Sequence, residues 1–398
     1  MARPPLEVAD LIRAAGRSFI DRNRSWLNRL HLKVLTAIER CRTSALGGHL
    51  DACTQCGYTA ISFNSCRDRH CPRCQSNARD RWIDARSREL LPTPYVHVVF
   101  TLPHELAPLA LQNKKIVYDL LFRISAETLL QIARDPKHLG ADIGFFSVLH
   151  SWNQKLEHHP HVHCVVPAGG LSTDCTRWIS SHPKFFLPVD VLAKVFRAKF
   201  DEALKEAFAR GQLGFHGKLK ELGRPKAFSS LLRQTFSKKW VVYAKRPFGG
   251  PEHALRYLGC YTHRVAISNH RLVSLTGEQV TFRWRDSRHK NQKRLMTLHV
   301  NEFLRRFLLH VLPKGFVRIR HFGFFSTRNL SKLLPICRRL LRMPGRDSGL
   351  QAVAAQPEHA GSATWQCPHC TGLMMILERL TAAQILLRSP PLLATQIA

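Results

Sequence analysis

Two histidines in a short apolar run have the spacing most suggestive of chemistry. His161 and His163 lie two positions apart in the segment 158–166, which is otherwise rich in valine. Alternation along an extended strand points residues i and i+2 to the same face, so both imidazoles would stand side by side with Val162 directed away from them. Buried imidazoles need partners. The pair therefore predicts a divalent-metal site, in which Mg²⁺ or Mn²⁺ would polarise a phosphate group.

A third ligand for this ion has to come from elsewhere in the chain. Gln154, His150 and His97 are the candidates, and the sequence does not choose among them. Gln154 is the predicted third ligand.

Two of the six tyrosines, Tyr257 and Tyr261, are four residues apart. This spacing places both hydroxyl groups on one face of a helix, and Pro251 suits the first turn of that helix. A tyrosinate can attack a DNA phosphorus in line and form a phosphotyrosine. Two nucleophiles on one face could perform successive cleavage and strand transfer. The alternative interpretation is an aromatic stripe that packs into the core.

Four cysteines near the N-terminus have the spacing of a zinc ribbon. The Cys53-x2-Cys56 and Cys71-x2-Cys74 knuckles are separated by 14 residues, and two such knuckles complete a tetrahedron of thiolates around structural Zn²⁺. Four neighbours could replace a ligand or build a second site: Cys41, His49, Cys66 and His70.

A further pair, Cys367 and Cys370, forms half of a ribbon near the C-terminus. His359 or Cys337 could complete a site with this pair, and the sequence leaves open whether a metal binds there.

The charge of the chain indicates the class of partner. Its 398 residues contain 60 Lys and Arg against 28 Asp and Glu, a formal net charge of +32. Such an excess opposes compact folding unless a polyanion shares the surface, so nucleic acid is the expected partner and binding should weaken with salt. No apolar run approaches the roughly 20 residues of a membrane span. With no signal peptide at the start, we expect a cytoplasmic, nucleoid-associated protein without a membrane partner.

The pattern of elements that must position these residues predicts three regions. Residues 1–91 form a helical, Arg-rich domain around the cysteine cluster, and residues 346–398 form a loosely structured tail. Residues 92–345 carry strands at 96–102, 145–152 and 161–167, a helix at 189–210 and a β-meander over 265–284. A helix over 109–133, another over 298–312 and a strand over 316–325 complete this region. Helices mixed with antiparallel strands predict the α+β class.

The histidine, tyrosine and cysteine segments of the chain resemble those of a known protein family. His161-Val162-His163 matches the His-hydrophobic-His motif of the HUH endonuclease superfamily. The segment Tyr257-Leu258-Gly259-Cys260-Tyr261 is similar to the tyrosine motif of the two-tyrosine members, the rolling-circle insertion-sequence transposases. Cys260 departs from the basic residue expected between the tyrosines. Residues 65–74 resemble the family's N-terminal transposase zinc-binding domain, and residues 318–323 and 367–370 match later segments.

The resemblance implies a fold and a reaction. The fold would be a ferredoxin-like HUH endonuclease domain, whose antiparallel central sheet has the His-x-His strand in its middle, preceded by a helical zinc-ribbon domain. The reaction would nick and rejoin single-stranded DNA at element ends and target sites through 5′-phosphotyrosine intermediates. The chain contains no P-loop motif, so a host helicase or supercoiling would supply unwinding. Oligomeric state stays open.

Two other functions fit parts of the sequence. The string 159–165 also matches the histidine-triad pattern of nucleotide hydrolases, in which a histidine is the nucleophile and no metal is needed. A non-catalytic zinc-containing DNA-binding protein would account for the charge and the cysteines. Neither alternative uses both the histidine pair and the tyrosine pair.

Overall fold

The computed structural model describes residues 4–245, 266–286, 289, 291–341 and 365–388. Thirteen strands lie in these ranges: β1 (Gly48–Cys53), β2 (Thr59–Phe63), β3 (Tyr95–Thr101), β4 (Gly144–Trp152), β5 (His158–Pro167), β6 (Gly169–Leu171), β7 (Trp178–Ser180), β8 (Val242–Ala244), β9 (Leu272–Thr276), β10 (Gln279–Asp286), β11 (Gln292–His299), β12 (Ile319–Gly323) and β13 (Met374–Leu380). Ten α-helices accompany them: α1 (Val8–Arg22), α2 (Arg29–Arg40), α3 (Pro72–Ser87), α4 (Ala107–Gln112), α5 (Lys114–Arg134), α6 (Val189–Ala209), α7 (Pro225–Phe236), α8 (Val300–Leu309), α9 (Thr327–Leu340) and α10 (Ala382–Arg388).

The largest sheet has five strands in the order β12-β4-β5-β3-β8, and every neighbouring pair is antiparallel. Helices α4 and α5 connect β3 to β4, and helices α6 and α7 lie between β5 and β8. The succession β3-α-β4-β5-α-β8 with this strand order is the ferredoxin-like βαββαβ arrangement. The predicted α+β class is therefore confirmed, as is the antiparallel central sheet with the His-x-His strand in its middle.

Helices α5 and α6 cover one face of the central sheet. On β5, the small apolar side chains Val162, Cys164 and Val166 point to this face and are buried in the same core as both helices. Because side chains alternate along a strand, His161 and His163 point to the opposite face. The burial of one face therefore decides where the histidines point.

The predicted helix over 109–133 is divided into α4 and α5 at Asn113. Its side-chain amide donates hydrogen bonds to the backbone oxygens of Leu109 (3.1 Å) and Gly214 (3.0 Å), and its oxygen accepts one from the Gly214 amide. These bonds hold the break and tie it to the segment after α6.

None of the helices in the described ranges combines the length and hydropathy needed to span a bilayer.

A second core joins the N-terminal helices to the sheet β9-β10-β11. Phe19 from α1 and Val34 from α2 are buried with Phe282 of β10 and Phe303 of α8. The predicted domain 1–91 is therefore not packed by itself. The predicted meander exists, but residues 266–268 are not a strand, and β11 is the third strand. The sequence did not reveal β11 because this strand is largely exposed and lacks the apolar alternation that indicates strands.

The prediction of a loosely structured tail is wrong for residues 365–388. Strand β13 pairs antiparallel with β1, from Gly48 opposite Leu380 to Cys53 opposite Met374, and forms the sheet β13-β1-β2. Helix α10 follows directly. The last described segment thus folds onto the N-terminal cysteine region, a pairing across more than 300 residues that local composition does not indicate.

The edge of the central sheet depends on a glycine. Gly323 has φ +59°, and a Cβ atom there would lie 1.8 Å from the backbone oxygen of Ile143. Gly211, which follows α6, has φ +64°, but a Cβ atom at this position would meet no other atom within 4 Å.

We expect Gly211→Ala to lower the free energy of unfolding by about 1–2 kcal/mol through backbone strain alone. Gly323→Ala should lower it by about 1–3 kcal/mol more through overpacking. Equal losses in urea unfolding would contradict this interpretation of the β12 edge.

Candidate active site

Three histidines converge on the open face of the central sheet. The ring nitrogens of His150, His161 and His163 lie within 4.8 Å of one another. His150 of β4 is directly opposite His161 of β5, and His163 is opposite Val148, two pairs further along the hairpin. Antiparallel pairing thus adds a third imidazole to the predicted pair, on the face that α5 and α6 leave uncovered.

Hydrogen bonds orient the two rings of the His-x-His motif. Nδ1 of His161 is 2.7 Å from the backbone oxygen of His159. Because a carbonyl oxygen only accepts, Nδ1–H is the donor, and the neutral ring presents the lone pair of Nε2 for coordination. Nδ1 of His163 is 2.8 Å from Nε2 of His97, and the two rings are stacked with centroids 5.0 Å apart. His97 is therefore a partner that orients a ligand, as commonly surrounds metal-binding histidines.

Burial keeps these imidazoles neutral at physiological pH. Desolvation, with a smaller contribution from His159, lowers the pKa of His161 to about 4. Desolvation, followed by the charges of His150, His161 and His97, lowers the pKa of His163 well below 6.5. Since only the neutral ring can bind a cation, the site is prepared for a metal ion rather than for protons.

The structure brings His150, rather than Gln154, into the histidine cluster. Gln154 is exposed in the turn between β4 and β5, and its backbone oxygen accepts a hydrogen bond from Arg271. Its side chain lies at the rim of the same cavity, so a role for Gln154 in coordination stays a prediction. The register of the hairpin is the signal that identifies His150, and the sequence alone does not give that register.

The cluster opens into a cavity of about 690 Å³. The β4–β5 hairpin forms one wall, and the ends of β10 and β11 form the wall opposite, with Trp284 and Arg294. Residues 266–268 lie between the two walls. The cavity is large enough for a nucleotide-sized ligand beside the histidines.

Both predicted nucleophiles, Tyr257 and Tyr261, lie outside the described residues. The described residues on either side of them are close to the cluster. The backbone amide of Lys245 donates a hydrogen bond of 2.9 Å to the backbone oxygen of His97. Ala266, five positions after Tyr261 in the sequence, lines the cavity. Lys245 and Ala266, the described residues that flank the tyrosines in the sequence, therefore both lie near the histidine cluster.

The four predicted zinc ligands do not form one cluster. Cys71 and Cys74 lie with Cys41 and Cys66, whereas Cys53 and Cys56 lie with the C-terminal pair. The predicted grouping of the two N-terminal knuckles is therefore wrong, although each knuckle belongs to a four-thiol group. The cysteines in the described ranges are all free thiols.

The first cluster is at the start of α3. Cys71 is the residue before the helix and Pro72 is its first residue, which places Cys74 in the first turn. The Sγ atom of Cys74 is 3.5 Å from that of Cys41 and 3.6 Å from that of Cys66. Tetrahedral zinc with Zn–S bonds of about 2.3 Å implies sulfur separations of about 3.8 Å, so these thiols are spaced for one ion.

The second cluster joins the knuckle at the end of β1 to the last described segment, residues 365–388. Sγ of Cys53 is 3.4 Å from Sγ of Cys370, and Sγ of Cys56 is 3.6 Å from Sγ of Cys367. In each knuckle the backbone amide two residues after the first cysteine donates to its sulfur at 3.4 Å. Pairing of β13 with β1 produces this cluster. Cys337 does not belong to it, and His359 lies outside the described residues.

His70, which the sequence left as an alternative zinc ligand, has a structural role. Its Nδ1 atom is 2.9 Å from the carboxylate of Asp68, and its Nε2 atom accepts a hydrogen bond from the amide of Leu312. The neighbouring Arg69 donates to the backbone oxygen of Phe316 at 2.7 Å. Both side chains attach the cysteine loop to the segment between α8 and β12.

Comparisons with known proteins agree with both regions. Residues 144–332 match the profile of a family described as "Putative transposase", and residues 11–102 match that of a "Transposase zinc-binding domain". "Putative transposase y4qJ" of Sinorhizobium fredii is 52% identical over 384 residues, which are 95% of this chain and 96% of that protein. "Transposase for insertion sequence element IS801" of Pseudomonas savastanoi pv. phaseolicola is 29% identical over 331 residues, 80% of this chain and 75% of that protein.

Among solved structures, "Conjugative Relaxase Trwc In Complex With Orit DNA. Metal-Bound Structure" aligns over 42% of this chain and 70% of that chain. The TM-score is 0.21 and the sequence identity is 14%. This similarity is too low to carry an argument about fold or function.

Neutral buried histidines make stability depend on pH. Desolvation lowers the pKa of His310 from 6.5 to about 3. The unfolded chain therefore takes up a proton below pH 6.5 that the folded chain does not, and stability falls as the pH decreases from 6.5 towards 3. Between pH 7.5 and 5.0 this group should account for a loss of about 2 kcal/mol.

We expect His310→Gln to reduce the difference in unfolding free energy between pH 7.5 and pH 5.0 by about that amount. The exposed His182 offers the control His182→Gln, which should leave the difference unchanged. Comparing variants removes the contribution of all other titrating groups, including the thiols. An unchanged difference in His310→Gln would show that this ring is not held neutral.

Proposed function

The chain belongs to the insertion-sequence transposase family, and from this premise we propose that it cuts and rejoins single-stranded DNA in rolling-circle transposition. The convergence of His150, His161 and His163 carries the proposal. Three imidazoles beside an open cavity, with those of His161 and His163 kept neutral by burial, suit a divalent cation that keeps positions for phosphate oxygens. Bound there, Mg²⁺ or Mn²⁺ would polarise the phosphate and stabilise the charge that develops on it.

The residues of the chain would have distinct tasks in this reaction. His161 and His163 would hold the cation with His150 as the third ligand, and His97 would keep the ring of His163 in place. Tyr257 and Tyr261 would act as nucleophiles. The phenolate oxygen would attack the phosphorus, forming an O–P bond while the bond to the 3′ oxygen breaks and leaves a free 3′-hydroxyl. The phosphotyrosine retains the energy of the phosphodiester, so a 3′-hydroxyl can reverse the step on another strand.

Two observations support the role of the tyrosines. Lys245 and Ala266 flank the segment that contains them, and both lie beside the cluster.

The net charge of +32 suits a DNA substrate, and element ends and target DNA are the expected strands. Unwinding by a host helicase fits a chain without a P-loop motif.

The geometry disfavours the histidine-triad alternative. A nucleophilic histidine needs a ring nitrogen that faces the substrate alone. In this structure one ring nitrogen each of His150, His161 and His163 lies within 4.8 Å of the other two. Three clustered imidazoles, of which burial keeps those of His161 and His163 neutral, are better suited to share a cation. A non-catalytic DNA-binding protein would have no need for such a cluster.

We propose in addition that each cysteine cluster holds one structural Zn²⁺. Four thiols surround each centre, so a bound ion would have no open position for catalysis. The first ion would fix α3 against the end of α2, and the second would fasten β13 to β1. The zinc-binding region would then include residues 365–388 besides the predicted domain 1–91, and the predicted catalytic domain 92–345 would carry the histidines.

Covalent trapping tests the cleavage reaction. Wild-type protein incubated with labelled single-stranded DNA of an element end and Mg²⁺ or Mn²⁺ should form an adduct that survives a denaturing gel. Tyr257→Phe/Tyr261→Phe should abolish it, and His161→Ala or His163→Ala should slow it at least about 100-fold, since loss of the metal removes several kcal/mol of charge stabilisation. Salt-sensitive DNA binding should persist in all these variants.

Tyr243→Phe is the matched control, because Tyr243 is an exposed tyrosine of β8. This variant should form adduct at the wild-type rate. If wild-type protein forms no adduct with any divalent ion, the proposed reaction is wrong. If the histidine variants lose DNA binding together with cleavage, the cluster has a structural role.

Metal analysis tests the zinc centres. We expect two zinc ions per chain by inductively coupled plasma mass spectrometry. Cys367→Ser/Cys370→Ser and Cys66→Ser/Cys74→Ser should each retain one, because each pair supplies half of a different site. Cys175→Ser, which changes a cysteine outside both clusters, should retain two. Two ions in either double variant would refute the corresponding site.

A further inference from the structure

The wall of the cavity opposite the histidines has the composition of a site for an unpaired nucleotide. We propose that Trp284 stacks on one base of the DNA strand next to the cleaved phosphate, while Arg294 and Arg285 bind the adjoining phosphates. The inference rests on the proposed function, because it names the part of the substrate that this cavity holds. No position of this wall belongs to the histidine, tyrosine or cysteine motifs.

Trp284 is held in a defined position at the end of β10. It is paired with Arg294 across the β10–β11 hairpin, so both side chains point to the same face. Its indole nitrogen donates to the backbone oxygen of Leu295 at 3.4 Å. The ring is half-buried and lines the cavity, and Nζ of Lys155 is 4.6 Å from its centroid. An oriented, partly exposed indole is a stacking surface that accepts any base.

Two arginines fix the distance between this wall and the histidines. Arg271, before β9, donates from its guanidinium to the backbone oxygens of Arg283 (2.7 Å) and Gln154 (2.5 Å). Arg306 of α8 donates to the backbone oxygen of Lys155 at 3.0 Å. The turn between β4 and β5 is thereby attached to β10 and α8. A strand in the cavity would contact the histidines and Trp284 together.

The charges of the wall suit a phosphate backbone. Arg285, Arg294, Lys155 and Arg271 line the cavity together with the carboxylates Asp286 and Glu157. Asp286 is 10% exposed at its side chain and lies 3.4 Å from the guanidinium of Arg294, which it holds towards the cavity. Guanidinium groups beside an aromatic ring are the usual combination in single-strand binding sites.

An abasic-site scan tests the inference. The background is Tyr257→Phe/Tyr261→Phe without added divalent ion, so that binding is measured without cleavage and the cysteine clusters keep their metal. Dissociation constants are measured for oligonucleotides of the element end that each lack one base. In this background one position near the cleavage site should weaken binding about 5- to 150-fold, the equivalent of the ~1–3 kcal/mol of one stacked base.

Adding Trp284→Ala should weaken binding of the intact strand by a similar factor and abolish the effect of that one abasic position, while Trp284→Phe should restore most of both. This non-additivity identifies the stacked pair and would not arise from a general loss of folding. Phe185→Ala is the matched control, because Phe185 is a 50% exposed aromatic residue that does not line the cavity. It should leave the abasic profile unchanged.

The inference is overturned if Trp284→Ala binds the intact strand as the background protein does, or if its abasic profile keeps the same sensitive position. Covalent adduct formation by the wild-type protein is measured in parallel. Adduct formation together with an unchanged profile in Trp284→Ala would leave the proposed function standing and remove only the stacking site. Absence of any adduct would remove the proposed function, whatever the binding profile shows.

Discussion

The antiparallel pairing of β4 with β5 is the constraint on which the site depends. One face of this hairpin is buried under α5 and α6 by Val162, Cys164 and Leu149. Alternation then forces His161, His163 and their cross-strand neighbour His150 onto the other face. A shift of β5 by one residue would move His161 and His163 into the apolar core and away from His150, so the hydrophobic packing of one face fixes the chemistry of the other.

Burial and hydrogen bonding act together to favour a metal ion over a proton at this face. Desolvation lowers the pKa of His161 to about 4, which removes competition by protons near neutral pH. The backbone oxygen of His159 accepts a hydrogen bond from Nδ1–H of His161, which leaves the lone pair of Nε2 available to a metal ion. A site built in this way suits a cation that keeps open positions, which the proposed phosphoryl transfer to a tyrosine would use.

The cysteine clusters lie where small elements with little apolar surface are attached to the rest of the fold. Strands β1 and β2 and the segment 365–388 bury only Cys53, Cys367 and Met374 as a common core. Such a small core contributes little stability without an additional cross-link. The proposed zinc ions in the thiol clusters at the start of α3 and between β1 and β13 would supply that cross-link. His70 and Arg69 attach the cysteine loop to the rest of the fold.

Local patterns were sufficient for the parts of this protein whose information is local. Alternation around His161 and His163 identified a strand and the face that carries both histidines, and paired cysteines identified knuckles. Charge together with family resemblance identified a transposase. The partners of these residues depend on contacts between distant segments. Hairpin register selected His150, and pairing of β13 with β1 placed Cys367 and Cys370 beside Cys53 and Cys56. Spacing carries no information about strands that meet from opposite ends of a chain, so only the tertiary structure decided which ligands share a site.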